Sequence, residues 1–252
     1  MQEHIQKIKA WPAQWKVVAI IVALLVVAGI GMALQGGGFL GGSDTASSIF
    51  GIKRAPSLIA SVKYSAELTP EARKILEDTI AEFRTELGKN ENNYDMWLSL
   101  AIRYKQAGDF NKAREVWEYL ASIHPDDSVS RHNLGDLYHH FLNDYRKAEA
   151  YYKAALDLDP TNELDYLALY ELYRYNYKQD TTAAVDILKK GIENVTENQP
   201  VDLYVALANY YADKGQKADA RDNYTKARDI ARTVGNTQLV AQLNEAIAAL
   251  GQ

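Results

Sequence analysis

Residues 93–127 read NYDMWLSLAIRYKQAGDFNKAREVWEYLASIHPDD, with apolar residues at helical spacing on both sides of Gly108. This spacing predicts two amphipathic helices joined near the glycine. One such hairpin cannot bury its apolar face alone. The stretch therefore predicts a fold in which several hairpins stack.

The pattern returns three more times along the chain. The shared marks are Trp97, Leu100, Ala101, Tyr104, Gly108, Ala113, Trp117 and Pro125; then Arg131, Leu134, Gly135, Tyr138, Ala148, Tyr152, Ala155 and Pro160; then Tyr166, Leu169, Tyr170, Tyr173, Ala184 and Leu188; then Tyr204, Leu207, Ala208, Tyr211, Gly215, Ala220, Tyr224 and Ala227. The second copy needs one inserted residue before Ala148. The third copy needs about two before Ala184 and lacks the closing proline.

These copies resemble the tetratricopeptide repeat (TPR) family over roughly residues 94–234, since that repeat has about 34 residues with the same marks. The resemblance implies an all-α, right-handed α-solenoid of about four hairpins (94–127, 128–162, 163–200, 201–234). We expect a helix within 69–93, with Thr69 as N-cap and Gly88 as its end. A stripe of leucine and isoleucine predicts a capping helix within 235–252.

In TPR proteins the first helix of each hairpin lines a groove that binds other proteins. By resemblance, the groove positions are Leu98, Ile102, Lys105, His132, Asp136, His139, Leu167, Glu171, Arg174, Tyr175, Val205 and Asn209. Apolar side chains beside Asp136 and Glu171 predict an amphipathic or extended partner segment that carries Lys or Arg. One TPR subclass grips chaperone C-termini with basic residues, but Leu98, Leu167 and Val205 stand at those positions.

A second hypothesis concerns His132, Asp136 and His139, whose spacing places them on one helix face. Two imidazoles and a carboxylate could bind a metal ion or act in acid–base catalysis. No nucleophile, glycine-rich phosphate loop or metal motif accompanies them in the sequence. We therefore expect no enzyme, cofactor or metal, and keep a metal-dependent module or enzyme at this face as the alternative.

Residues 17–34 form an unbroken apolar run, VVAIIVALLVVAGIGMAL, whose length as a helix roughly spans a bilayer. We predict a transmembrane helix at 17–34, a cytoplasmic segment at 1–16 and a flexible Gly/Ser-rich linker at 35–68. Within that linker, residues 49–68 could form a short helix or an extended chain on the membrane or the domain. The alternative is a cleaved signal peptide, which the length of the run and the missing A-x-A site disfavour.

Charge indicates the orientation and narrows the partners. Lys7, Lys9 and Lys16 against Glu3 predict a cytoplasmic N-terminus and repeats outside the cytoplasm. Residues 1–16 contribute +2 to a net charge of −5, so the remainder carries −7. An acidic domain argues against nucleic-acid binding, and a chain without cysteine has no disulfide or thiolate site.

We therefore predict a single-pass cell-membrane protein that acts as a TPR adaptor or scaffold for protein partners. This architecture resembles that of bacterial cell-envelope proteins with one N-terminal anchor and TPRs outside the cytoplasm. The resemblance implies a role in secretion or in the assembly of envelope complexes. Small residues at four-residue spacing in the apolar run permit a homo-oligomer. A receptor that faces the cytoplasm from an organelle is a third hypothesis, which the lysine bias opposes.

Overall fold

The computed structural model describes residues 54–179, 181–195 and 200–251, and its regular structure in these ranges is helical. The helices are α1 (Pro70–Lys89), α2 (Tyr94–Ala107), α3 (Phe110–Ile123), α4 (Ser128–His140), α5 (Tyr145–Leu158), α6 (Glu163–Glu171), α7 (Ala183–Asn194), α8 (Val201–Asp213), α9 (Lys217–Thr233) and α10 (Thr237–Ala249). A π-helical turn, Leu172–Asn176, follows α6 directly.

The predicted transmembrane segment at 17–34 and its flanks lie outside the described residues. Within the described ranges, each helix is too short or too polar to cross a bilayer.

Ten described helices form an all-α, TPR-like solenoid. Helices α2 and α3, α4 and α5, α6 and α7, and α8 and α9 pack as hairpins, and each hairpin packs against the next. Helix α1 packs on α2, and α10 packs on α9. Both ends of the stack are therefore covered by an additional helix.

Side-chain caps mark the start of seven of the ten described helices. The Thr69 hydroxyl accepts a hydrogen bond from the Ala72 N–H, as predicted, and Pro70 opens α1. The predicted end at Gly88 is one residue short. Gly88 remains helical, and α1 closes where the Asn90 N–H donates to the Glu86 carbonyl.

Small residues sit where the two helices of a hairpin approach most closely. Ala113, Ala148 and Ala220 are fully buried, and Ala184 nearly so. Gly135 is the tightest contact, because a Cβ added there would lie 2.5 Å from the Tyr152 ring. These positions confirm the helical register read from the repeat marks.

The apolar interior consists of two clusters. The larger cluster runs from α1 to α8 and holds Trp97, Trp117 and Tyr152, each almost completely buried. The smaller cluster joins α8, α9 and α10 through Ala208, Tyr224 and Leu243, among others. Helix α8 contributes Leu203 and Leu207 to the larger cluster and Ala208 to the smaller one, so it connects the two.

Residues 54–68 precede α1 as non-helical chain with a bend at 58–60 and a turn at 66–67, and we call them the strap. The side chains of residues 58, 60, 62 and 64 are partly buried, whereas those of 59, 61 and 63 are exposed. Strap residues Lys63 and Ser65 donate backbone hydrogen bonds to the Asp109 carboxylate (2.9 Å) and the Ala107 carbonyl (2.7 Å). Arg84 of α1 donates to the Ala60 carbonyl at 2.7 Å.

The strap corrects the expected linker of 35–68. Its last fifteen residues are held on the first hairpin, because alternate side chains pack into the larger cluster and the backbone finds partners there. Of the two options for residues 49–68, residues 54–68 follow the second, a non-helical chain that lies on the domain.

Candidate protein-binding face

The first helices of the four hairpins, α2, α4, α6 and α8, stand next to one another and form what we call the first-helix face. Polar side chains connect each of these helices to the next. Lys105 of α2 forms an ion pair with Asp136 of α4, and its ammonium group lies 5.0 Å from the centre of the Phe141 ring. His140 also approaches Asp136, at 3.5 Å. The predicted groove acid Asp136 is thus largely neutralised.

His132 connects α4 to α6. Its Nδ1–H donates to Oδ1 of Asp165 at 2.8 Å, and Asp165 is completely buried. This hydrogen bond raises the pKa of His132 above its usual value. The second oxygen of Asp165 has no hydrogen-bond partner among the described residues. A buried carboxylate therefore lies directly behind the face.

His139 is a correction to the predicted groove. It is 2% exposed, and its Nε2–H donates to the Asn176 side-chain oxygen at 2.9 Å. Its ring stacks on that of His140 at 3.9 Å between centroids. Burial lowers the pKa of His139, since a charged ring would lose its hydration. His139 therefore belongs to the packing between α4 and the π turn.

Arg174 connects the π turn to α8. Its guanidinium group lies 5.0 to 5.6 Å from the ring centres of Tyr170, Tyr175 and Tyr210, and it forms an ion pair with Asp213. Cation–π contacts of this kind add to the ion pair. Arg174 is therefore fixed at the junction of the third and fourth hairpins.

The remaining groove positions differ in their exposure. Ile102, Glu171, Tyr175 and Asn209 are exposed, whereas Leu98, Leu167 and Val205 are half-buried and pack against the two apolar clusters. Asn209 also accepts a hydrogen bond from the Tyr224 hydroxyl, so it joins α8 to α9. Its side chain has a structural contact that the repeat register did not predict.

Two exposed apolar residues of this face were missed in the sequence. Val129 and Leu164 lie three positions before His132 and Leu167, on the same helical stripe, and are 48% and 63% exposed. The signal was present, because their spacing continues the stripe by one turn. The predicted groove positions omitted this first turn.

The side chains of His132, Asp136 and His139, on which the metal or enzyme alternative depends, do not converge on one site. Each side chain has a different partner: Asp165, Lys105 and Asn176, respectively. In the described ranges, no group of three or more His, Cys, Asp or Glu residues could hold a metal ion. The three residues do lie on one face of α4, but His139 is buried and is thereby separated from His132 and Asp136.

The π turn explains the extra residues of the third copy. The turn Leu172–Asn176 widens the end of the first helix, and the loop after it contains Lys178 at a left-handed φ of 63°. Lys178 and Tyr173 both contact the Glu149 carboxylate, at 2.6 and 2.7 Å. Burial would raise the pKa of Glu149, but these bonds and one from Lys153 lower it to about 2.

A cavity of about 320 Å³ lies elsewhere, among α7, α8 and α9. Tyr204 and Leu207 form part of its lining, and an ion pair between Lys226 and Asp222 (2.8 Å) stands at its edge. Side chains of both charge signs line it, so it has no clear preference for a charged ligand.

Residues 110–161, which span α3 to α5, match the tetratricopeptide repeat family model. A crystal structure of MamA aligns with a TM-score of 0.51 at 18% identity and covers 67% of this chain and 98% of that chain. The fold is a TPR-like solenoid. Yeast Tom70 aligns with a TM-score of 0.39 at 16% identity, over 75% of this chain and 50% of that chain. No curated protein matches the chain in sequence.

At 18% identity, the likeness to MamA concerns the fold alone. On the first-helix face, side-chain contacts connect neighbouring first helices, while Ile102, Val129, Leu164 and Tyr175 remain open to solvent.

Proposed function

We propose that this protein is a membrane-anchored TPR adaptor or scaffold that binds a partner protein on its first-helix face at the cell envelope. The predicted span at 17–34 supplies the anchor, and the lysine bias before it supports a domain outside the cytoplasm. Assistance to secretion or to the assembly of envelope complexes is the process we favour for such an architecture. No catalytic step is part of the proposal.

The distribution of exposed apolar side chains carries the binding part of the proposal. Among the described residues, nine large apolar side chains are exposed, and four of them (Ile102, Val129, Leu164 and Tyr175) lie on the first-helix face. The others are scattered: Ile59 lies in the strap, Ile75 on α1, and Phe141, Leu158 and Val234 at or beyond helix ends. Exposed apolar groups gathered on one rigid surface are typical of an interaction site.

Site-specific photocrosslinking in native membranes tests this proposal. A photoreactive amino acid at Leu164 or Tyr175 should crosslink a discrete partner, which mass spectrometry can identify. The same group at Ile75 is the matched control, because Ile75 is 65% exposed but lies on α1, away from the face. Equal crosslinking of the same protein from Ile75 would show that the face is not the binding surface.

A substitution on the first-helix face provides a second test. Leu164→Ser should reduce crosslinking from Tyr175, because it removes an exposed apolar contact without disturbing the core. Leu164 is the better choice than the half-buried Leu167, whose replacement would also affect packing. Undiminished crosslinking from Tyr175 in Leu164→Ser would count against the proposal.

A further inference from the structure

The two halves of the first-helix face differ in charge. Helices α2 and α4 carry three bases and two acids, a net charge of +1. Helix α6, the π turn and α8 carry five acids against one base, a net charge of −4. These six residues are Glu163, Asp165, Glu171, Asp202, Asp213 and the base Arg174. We call this half the acidic half.

The excess of acid belongs to the face and not to this part of the chain as a whole. The second helices of the same two hairpins, α7 and α9, carry seven bases and five acids, a net charge of +2. Charge is therefore separated between the first and second helices of the third and fourth hairpins. Such a separation attracts a positively charged partner to one side of the solenoid.

The acids of this half are incompletely neutralised. Glu171 and Asp202 are exposed and form no ion pair with a described residue. Asp165 lies behind the face with one oxygen unpartnered, and its contact, His132, carries a charge only when protonated. Of the two acids of the other half, Asp136 is by contrast paired with Lys105, and Asp95 lies exposed in the first turn of α2.

Apolar contacts are available within the same half. Leu164 and Tyr175 are 63% and 56% exposed; Leu164 lies on α6 with Glu171, and Tyr175 lies in the π turn that follows directly. A partner with apolar side chains alone would leave the acids unpaired, and one with charges alone would leave these two side chains in water. The surface fits a segment that presents both.

We propose that the acidic half binds a lysine- or arginine-rich amphipathic segment of a partner protein, with Leu164 and Tyr175 as apolar contacts and Glu171 and Asp202 facing the basic side chains. This inference rests on the proposed function and assigns the recognition of the partner's positive charges to the acidic half. Recognition by Asp136, expected from the sequence, is replaced by recognition on α6 and α8.

The test uses the full chain in a non-ionic detergent and a defined probe. The probe is a fluorescein-labelled 18-residue peptide of Leu and Lys in helical periodicity, and its partner peptide has Glu in place of Lys. Fluorescence anisotropy is measured at low salt, with detergent alone as the blank. We expect the Lys peptide to bind and the Glu peptide to bind at least about tenfold more weakly.

Two double variants locate the charges. Glu171→Gln with Asp202→Asn should weaken binding of the Lys peptide about five- to tenfold and flatten its salt dependence. Glu115→Gln with Asp157→Asn is the matched control, since it removes two exposed acids from the second helices α3 and α5. Equal weakening by both variants would overturn the inference, because net charge alone would then explain binding.

The Leu164→Ser variant separates this inference from the proposed function. If it weakens binding of the Lys peptide while the Glu171/Asp202 variant binds like the wild type, the face is the binding surface and the charge recognition is wrong. If neither variant weakens binding, both the face and the inference are wrong. Circular dichroism of each variant confirms that the helical content is unchanged.

Discussion

At the scale of the residue, Gly135 is the position where the hairpin packing leaves the least room for a larger side chain. The tyrosine ring of α5 lies against the Cα of this glycine on α4, leaving no room for a methyl group. We expect Gly135→Ala to lower the free energy of unfolding by about 1–3 kcal/mol, the usual cost of overpacking. Urea denaturation of a fragment of residues 54–252 measures it.

Gly88→Ala is the matched control for that substitution. Both glycines are helical, but a Cβ at Gly88 meets no atom within 4 Å. Alanine there should raise the free energy of unfolding by about 0.5–1 kcal/mol, because glycine costs more backbone entropy in a helix. A loss of stability in both variants would mean that helix geometry, and not the tyrosine contact, is responsible.

Two histidines of α4, His132 and His139, should make the stability of the fold depend on pH in opposite directions. The pKa of His132 is raised above 6.5, so the stability it supplies is complete below pH 6.5 and is lost as pH rises through the raised value. The pKa of His139 is lowered from 6.5, so the unfolded chain takes up a proton first and stability falls below pH 6.5.

Single substitutions separate the two effects. His132→Gln should remove the loss of stability above pH 6.5, and His139→Gln should remove the loss below it. Denaturation of the two variants and the wild type between pH 5 and 8 provides the comparison. A wild-type slope above pH 6.5 in His132→Gln would show that titration of His132 is not its cause.

At the scale of the element, Asp109 joins the strap to α3. One oxygen of its carboxylate caps α3 by accepting from the Lys112 N–H, and the other accepts from the Lys63 N–H. Asp109→Ala should lower stability by more than the roughly 0.5–2 kcal/mol of an N-cap, and it should speed hydrogen exchange at the Lys63 amide.

Asp144→Ala is the control, since Asp144 caps α5 through the Lys147 N–H and has no contact with the strap. It should cost the cap energy alone. A similar loss in both variants, with slow exchange retained at Lys63, would mean that the strap is held without Asp109.

Local periodicity accounts for most elements, and tertiary contacts account for those it missed. The spacing around Gly108 and Ala220 predicted the hairpins because each helix has an apolar stripe of its own. In the sequence, the π turn was visible only as extra residues before Ala184. Its side chains contact Glu149 of the previous hairpin, and the local sequence does not show such a contact. The strap gave no helical signal, because its burial alternates.

The sequence predicted which helices carry the candidate face, but less well which of its side chains are free to contact a partner. Helical spacing placed Ile102, Glu171 and Tyr175 correctly on exposed surface. It could not show that His139 is buried by the π turn, or that Lys105 neutralises Asp136, because both depend on distances between hairpins. Residue type alone does not distinguish a free charge from a paired one.

At the scale of the whole molecule, the anchor and its orientation remain predictions of the sequence. We expect the full chain to stay with the membrane pellet after alkaline washing, because residues 17–34 form a bilayer-length apolar run. Protease added to intact spheroplasts should digest the repeats, as Lys7, Lys9 and Lys16 favour the inside. Extraction of the uncleaved chain into the aqueous fraction would contradict the anchor.

The strap also has a mechanical consequence. Because it precedes α1, tension applied through the N-terminus reaches the strap before it reaches any described helix. The bonds at Ala60, Lys63 and Ser65 would then break first and free fifteen residues, whose full contour length is about 50 Å. In optical-tweezer pulling between the N- and C-termini, we expect an early low-force step that is shorter than this contour length, because the strap already spans part of it in the folded protein. In Asp109→Ala, which loses the bond to Lys63, the step should come at lower force. Such a step would mean that the strap lengthens under load before the stacked hairpins unfold.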